Sequence, residues 1–127
     1  MIVRFLASDV VVDDSDDEFI LVGFTDNHRQ ALHFQRAYEL DEQDEALGMA
    51  GVYIERNDQS QSGYGGIERV ELSRDRVRVL LEERMAAVLD ADELEIALSL
   101  PSDAFARLRE GLRAVFRGFD TLVEHES

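Results

Sequence analysis

Nucleophilic catalysis requires a serine or cysteine beside a base such as histidine. The sequence has no cysteine and three histidines, so serine with histidine is the combination to consider. His28 lies in a predicted turn, His33 on a predicted strand and His125 in the C-terminal tail. No two of them have the spacing of a helical metal motif, and no serine lies in a Gly-x-Ser-x-Gly elbow. We therefore expect no catalytic residue, no metal site and no bound cofactor, and we interpret His33 as a structural strand residue.

Carboxylates offer a second kind of site, since Asp14, Asp16 and Glu18 alternate much as they do at the start of a calcium loop. An EF-hand loop requires glycine at its sixth position and a bidentate glutamate at its twelfth. Counted from Asp13, those positions hold Glu18 and Phe24. The pattern does not favour calcium binding, and carboxylate pairs of the glycosidase type are unspecific in a chain with 28 acidic residues.

The glycine-rich segment at residues 63–66 has the composition of a phosphate loop but lacks the Gly-x-Gly-x-x-Gly spacing and a following lysine. A predicted strand follows it, which favours glycines that serve a hairpin or bulge with positive φ. Tyr64 lies among these glycines, in a stretch otherwise built of serine, asparagine, aspartate and glutamine. That composition is typical of recognition loops, so two interpretations stay open: Tyr64 braces the hairpin, or it binds a partner.

Acidic side chains outnumber basic ones, 28 against 13, and the formal net charge is −15. Every basic residue is an arginine. Such a surface repels phosphate backbones, which excludes nucleic acid as a partner and favours a cationic protein. Two clusters account for the acidic N-terminal half: Asp13, Asp14, Asp16, Asp17 and Glu18, and then Glu39, Asp41, Glu42, Asp44 and Glu45. Their simplest interpretation is a pair of solvated turns that keep strand edges from pairing with other chains.

Apolar periodicity places these residues on elements, most of them strands. The predicted strands cover residues 2–12 and 18–25 as a hairpin, 30–40, 52–56, 67–73 and 76–82 as a second hairpin, and 94–100. A helical turn or acidic loop is expected over 41–49, the longest loop over 57–66 and a short helix over 83–89.

The longest predicted helix covers residues 102–118, after the only proline, Pro101, with Ser102 as its N-cap. Its apolar stripe is expected to pack on a sheet through Phe105, Leu108, Leu112 and Phe116. The tail from residue 124 is expected to fray.

These elements predict an α+β fold: a mostly antiparallel sheet of about six or seven strands, with one long C-terminal amphipathic helix packed on one face. The length fits a single domain over residues 1–127. The longest apolar run, residues 19–24, is too short to cross a bilayer, so we expect no membrane association. Without a secretory signal or cysteine, the expected location is the cytoplasm.

Four segments of the sequence together resemble a known family. They are Gly-Phe at 23–24, Leu-His-Phe-Gln-Arg at 32–36, Tyr-Ile-Glu-Arg-Asn-Asp-Gln at 53–59 and Ser-Gly-Tyr-Gly-Gly-Ile at 62–67. In order and spacing they resemble the immunity protein 10 family of bacterial polymorphic toxin systems, over about residues 19–72. The resemblance implies a small cytosolic protein, not an enzyme, that binds and neutralises one cognate toxin domain.

If the chain is such a protein, we expect a cationic toxin to contact the 57–66 loop, with Tyr64 as the anchor, and to be steered by the acidic clusters. The candidate partner-binding residues are Asp58, Gln59, Ser62, Tyr64, Asp41, Glu42, Asp44 and Glu45. The alternative is a small acidic domain that binds a small molecule or a metal, with an unrecognised activity.

Overall fold

The computed structural model describes residues 1–14, 19–37 and 51–125, which form ten strands and two helices. The strands are β1 (Ile2–Leu6), β2 (Asp9–Asp13), β3 (Phe19–Thr25), β4 (Ala31–Ala37), β5 (Tyr53–Arg56), β6 (Ser62–Tyr64), β7 (Ile67–Ser73), β8 (Arg76–Leu81), β9 (Glu93–Ala97) and β10 (Leu122–Glu124). The helices are α1 (Glu83–Leu89) and α2 (Ser102–Val115). The helical turn or acidic loop predicted over 41–49 lies outside the described residues.

The strands form two five-stranded sheets. Sheet 1 has the order β1-β9-β8-β7-β10, and sheet 2 has the order β2-β3-β4-β5-β6. Every pair in sheet 2 is antiparallel, whereas sheet 1 contains two parallel pairs, β1 with β9 and β7 with β10. The α+β class and the mostly antiparallel pairing are confirmed, but the prediction of one sheet with six or seven strands is wrong.

The predicted strand over residues 2–12 is two strands in different sheets. Between them, the Ala7 amide donates to the Ala97 carbonyl in sheet 1 at 3.0 Å, and the next amide, of Ser8, donates to the Thr25 carbonyl in sheet 2 at 2.8 Å. The run of β-forming residues continues through this point because both halves have an apolar inner side. Hydropathy therefore gives no sign that the chain changes sheets here.

The inner faces of both sheets and the apolar sides of both helices share one hydrophobic cluster. Helix α2 lies against β2, β3 and β4 of sheet 2, and its buried residues include Leu108, Leu112 and Val115. Gly111 allows this close approach, since a Cβ there would lie 2.8 Å from Cγ1 of Val12. A single amphipathic helix could not bury the apolar faces of all ten strands, so the two sheets also bury part of each other's apolar surface in the shared core.

Several local predictions are confirmed and others are wrong. The β7–β8 hairpin and α1 occur where the sequence predicted them. Ser102 is the first helical residue and Pro101 occupies the N-cap position, so the predicted Ser102 cap is wrong. Phe105 is only partly buried. The strand predicted to be last is followed by β10, which is held on β7, and the His125 amide donates to the Leu72 carbonyl at 2.8 Å.

Candidate protein-binding surface

The outer face of sheet 1 carries charges that pair with one another. Arg78 lies at its centre, with N–O distances of 3.0 Å to Glu93, 3.5 Å to Glu71 and 3.7 Å to Glu95. Arg4 Nε donates to Glu95 Oε2 at 2.7 Å. The hydrogen bond with Glu93 is the main reason that the pKa of Arg78 is raised. Because these groups already satisfy one another, a partner docking here would have to desolvate a completed network.

The outer face of sheet 2 is different, because aromatic and neutral side chains meet there. The register places Tyr64 opposite Tyr53, Tyr53 opposite Gln35, and Gln35 opposite Leu21. The rings of Tyr53 and Tyr64 have centroids 5.2 Å apart, and the His33 ring lies 6.0 Å from Tyr53. Cross-strand aromatic pairs of this kind stabilise a sheet and hold both rings in defined positions.

Tyr53 is the fixed member of the tyrosine pair. Its hydroxyl donates to Glu55 Oε1 at 2.7 Å, and burial is the largest cause that raises its pKa. Tyr64 lies at the edge strand and is 37 % exposed, with one side against Tyr53 and its carbonyl accepting from Arg84 Nη2 at 3.4 Å. The pair therefore presents a pre-positioned aromatic side chain to solvent, and little rotamer entropy remains to be lost on binding.

His33 adds a neutral imidazole to this face. Burial lowers its pKa, and the Glu55 charge opposes that shift in part. A lowered pKa leaves the ring uncharged at neutral pH. The alternation of residues 30–40 predicts a strand at His33, but no pattern in the sequence associates His33 or Tyr53 with Tyr64, because their proximity depends on β6 pairing with β5.

The predicted 57–66 loop is not one loop. Its first part is a turn in which Asp58 accepts hydrogen bonds from the Ser60 amide at 2.8 Å and from the Ser60 hydroxyl, and these lower the pKa of Asp58. Ser62 Oγ donates to the Gln59 carbonyl at 2.7 Å and begins β6. Ser62 and Tyr64 therefore share the outer face of sheet 2. Asp58 and Gln59 lie in the turn beyond the opposite end of β5 from the tyrosine pair.

The positive φ predicted for glycines of this segment is confirmed, but Gly65 and Gly66 link β6 of sheet 2 to β7 of sheet 1 and do not form a hairpin turn. Gly65 and Gly66 have φ values of +72° and +74°. A Cβ on Gly63 would lie 2.9 Å from Cε of Met85, and one on Gly66 would lie 2.6 Å from Cβ of Met85. Helix α1 can therefore approach β6 and the following turn only because these residues lack side chains.

The acidic candidates Asp41, Glu42, Asp44 and Glu45 lie outside the described residues. The strands that flank their segment are described, however, and β4 ends at Ala37, opposite Phe19 at the start of β3. The first acidic cluster ends at Glu18, the residue directly before Phe19. Tyr53, at the start of β5, pairs with Gln35, which is two residues before Ala37. Residues 15–18 and 38–50 carry eight carboxylates and no arginine, and both segments join sheet 2 at the end that holds the tyrosine pair.

The three histidines are apart from one another. His28 lies in the β3–β4 turn, His33 on β4, and His125 beyond β10 with Nε2 3.0 Å from Glu71 Oε1. In residues 1–14, 19–37 and 51–125, no three histidine, aspartate or glutamate side chains are grouped so as to hold a metal ion. Neither helix in these ranges has the length and apolar character needed to span a bilayer.

Comparison with known proteins adds an independent observation. A family model described as Immunity protein 10 matches residues 6–106, which include all of sheet 2 and most of sheet 1. The chain belongs to the immunity protein 10 family. Curated proteins and solved structures give no match. Membership in the immunity protein 10 family confirms the resemblance seen in residues 19–72, implies an immunity role with a toxin as the partner, and suggests a role other than catalysis.

Proposed function

We propose that this immunity protein binds and neutralises a cognate cationic toxin domain through the outer face of sheet 2. Tyr64 is the anchor of that surface, and Ser62 and Tyr53 lie beside it. The observation that carries the proposal is the tyrosine pair, with ring centroids 5.2 Å apart on a face that has few charges of its own. Interface hot spots are enriched in tyrosine, and a ring that is already held by a neighbour loses little entropy on binding.

Charge supports a cationic partner. The formal net charge is −15, and the acidic segments on either side of β3 and β4 join sheet 2 beside the tyrosine pair. A field of this kind raises the association rate of a positively charged partner and directs it to the nearby surface. The paired charges of sheet 1 offer no comparable attraction.

The anchor role is tested with Tyr64→Ala and, as the binding probe, a toxin domain encoded in a gene adjacent to that of this chain. We expect faster dissociation and a loss of affinity of about 2 kcal/mol, roughly 30-fold in Kd. The matched control is Ile2→Ala, since Ile2 is also a large apolar side chain of similar exposure, at 42 %, but lies on β1 of sheet 1. The control should leave the off-rate unchanged.

The melting temperatures of the same variants show whether Tyr64 contributes to toxin binding or only to the stability of the β5–β6 hairpin. If Tyr64→Ala lowers the melting temperature but leaves the toxin off-rate at the wild-type value, the anchor role is refuted and Tyr64 only braces the hairpin. If the wild type does not bind the adjacent toxin domain either, the proposal of direct neutralisation fails.

The steering role is tested by changing Asp41, Glu42, Asp44 and Glu45 to their amides. We expect a lower association rate and a flatter dependence of that rate on salt, with a nearly unchanged off-rate. The control changes four exposed carboxylates elsewhere by the same total charge: Glu68, Asp75, Asp103 and Asp120. Equal effects of the two sets would contradict local steering, because net charge alone would then explain the rate.

A further inference from the structure

An open groove of about 760 Å³ separates α2 from the edge of sheet 1 formed by β7 and β10. It lies apart from the outer face of sheet 2. Its charged walls are Arg74 on the turn after β7, Arg109 and Arg113 on α2, and Glu124 on β10. In a chain with 28 acidic residues, a groove to which the described residues contribute three arginines and one carboxylate is an exception to the general charge.

The charge of Arg113 is already compensated. Its Nε and Nη2 donate to the two oxygens of Glu124, each at 2.8 Å, and its Nη1 donates to Glu110 at 3.3 Å. The hydrogen bond with Glu124 is the largest cause that raises the pKa of Arg113. This bidentate pair also occupies the only carboxylate that residues 1–14, 19–37 and 51–125 contribute to the groove wall, so Glu124 is not free to form an ion pair with the other two guanidinium groups.

Arg74 is held in place without a carboxylate. Its Nη2 donates to the Leu100 carbonyl at 2.7 Å, and its guanidinium lies 4.8 Å from the ring centroid of Phe105. These contacts orient the group but leave its positive charge uncompensated. Within the described part of the chain, no carboxylate lies within ion-pair distance of Arg74.

Arg109 has even fewer contacts. Its Nε is buried without a hydrogen-bond acceptor, and its guanidinium forms no hydrogen bond or ion pair with any described residue, although it interacts with Glu124 at longer range and helps to lower the pKa of that carboxyl. Arg56 also has a buried Nε without an acceptor, but its Nη1 donates to the Leu89 carbonyl at 2.6 Å. A buried donor without a partner is costly, so the arrangement at Arg109 favours an acceptor that arrives from outside the chain.

We propose that this groove binds a doubly charged oxyanion of the phosphate type, with Arg109 and Arg74 as its ligands. Two guanidinium groups that have no ion-pair partner among the described residues match two negative charges, and the planar fork of arginine donates in parallel to paired oxygens. The remaining acidic surface does not prevent this, because charges separated by more than about 8 Å are largely screened at physiological salt. The inference does not depend on the toxin-binding surface.

The test follows the Nε–H signal of Arg109 by nuclear magnetic resonance while inorganic phosphate replaces sodium chloride at constant ionic strength and pH. We expect a saturable shift with a Kd of about 1 mM, the scale of two or three charge-assisted hydrogen bonds. Acetate, which carries one charge, should bind at least tenfold more weakly. Equal affinity for acetate would overturn the assignment to a doubly charged anion.

Variants decide whether the shift comes from the groove. Arg109→Gln and Arg74→Gln should each weaken phosphate binding at least tenfold, as followed by the signals of neighbouring amides, and Arg74→Gln serves if Arg109→Gln fails to fold. The control is Arg29→Gln, which removes the same charge from an exposed position in the β3–β4 turn and should bind like the wild type. A drift that never saturates, or one that persists unchanged in both groove variants, would overturn the proposal as a general salt effect.

Discussion

Substitution of Gly66 by alanine tests whether the glycines after β6 are required by the packing of α1. Gly66 has a φ of +74°, and a Cβ on it would lie 2.6 Å from Cβ of Met85. The atom it meets is attached directly to the helix backbone, so no change of the Met85 rotamer can relieve the contact. The helix or the turn must move instead.

The expected cost has two parts. Left-handed φ costs a residue with a side chain about 1–2 kcal/mol, and overpacking costs about 1–3 kcal/mol. Their sum is about 2–5 kcal/mol. The entropy of unfolding for 127 residues is about 0.27 kcal/mol/K at roughly 2.1 cal/mol/K per residue, so the melting temperature should fall by about 7–19 °C.

Gly65→Ala is the matched control in the same turn. Gly65 has nearly the same φ, +72°, but the nearest atom to its added Cβ is the flexible Arg84 Nη2 at 3.7 Å. Only the backbone cost of about 1–2 kcal/mol applies, which corresponds to a fall of about 4–7 °C. Thermal unfolding of both variants by circular dichroism measures the difference. Equal falls would show that Met85 does not approach Gly66 as described, and the structural account of the glycine-rich segment would then be wrong.

Two further predictions concern the core and the outer face of sheet 2. Leu112→Ala should lower the free energy of unfolding, measured by urea denaturation, by about 2–5 kcal/mol, because the Leu112 side chain is fully buried. Leu6→Ala should cost far less, because Leu6 is 57 % exposed. Similar losses for the two variants would contradict the packing of α2. Burial lowers the pKa of His33, so at this residue the unfolded chain binds more protons than the folded protein. The stability that His33 contributes is therefore fully present above its ordinary pKa of about 6.5. It should decline as the pH falls towards the pKa of the folded protein. His33→Asn should reduce that decline between pH 7 and 5.5, and a parallel decline in both proteins would refute this origin.

Local pattern was sufficient for the elements whose partners are near in sequence. The β7–β8 hairpin and α1 were predicted because alternation and helix-forming residues decide them within a few positions. Glycine chemistry likewise predicted the positive φ values after β6. The strands that were missed, β6 and β10, have three residues each and no periodicity to detect. They exist because a neighbouring strand, β5 or β7, offers backbone hydrogen bonds.

The candidate surface shows the same division. The composition around Tyr64 is typical of a loop that binds a partner, so the sequence indicates Tyr64 as a candidate binding residue. Its contact with Tyr53, however, follows from the register of β5 and β6. The 57–66 segment was interpreted as one loop, and pairing with β5 divides it into a turn and an edge strand. The groove around Arg109 was not foreseen, because its arginines come from positions that are distant in sequence.

The sequence by itself determined the charge of this protein, its α+β class, several of its elements and its family, because composition, periodicity and motif order are properties of a linear chain. The tertiary structure decided that the chain changes sheets after Ala7, that two sheets cover one core, and that the tyrosines meet while Arg109 lacks an acceptor. These features depend on which distant segments pair. Backbone hydrogen bonding and burial select those pairings only when the whole chain is folded, so no local pattern records them.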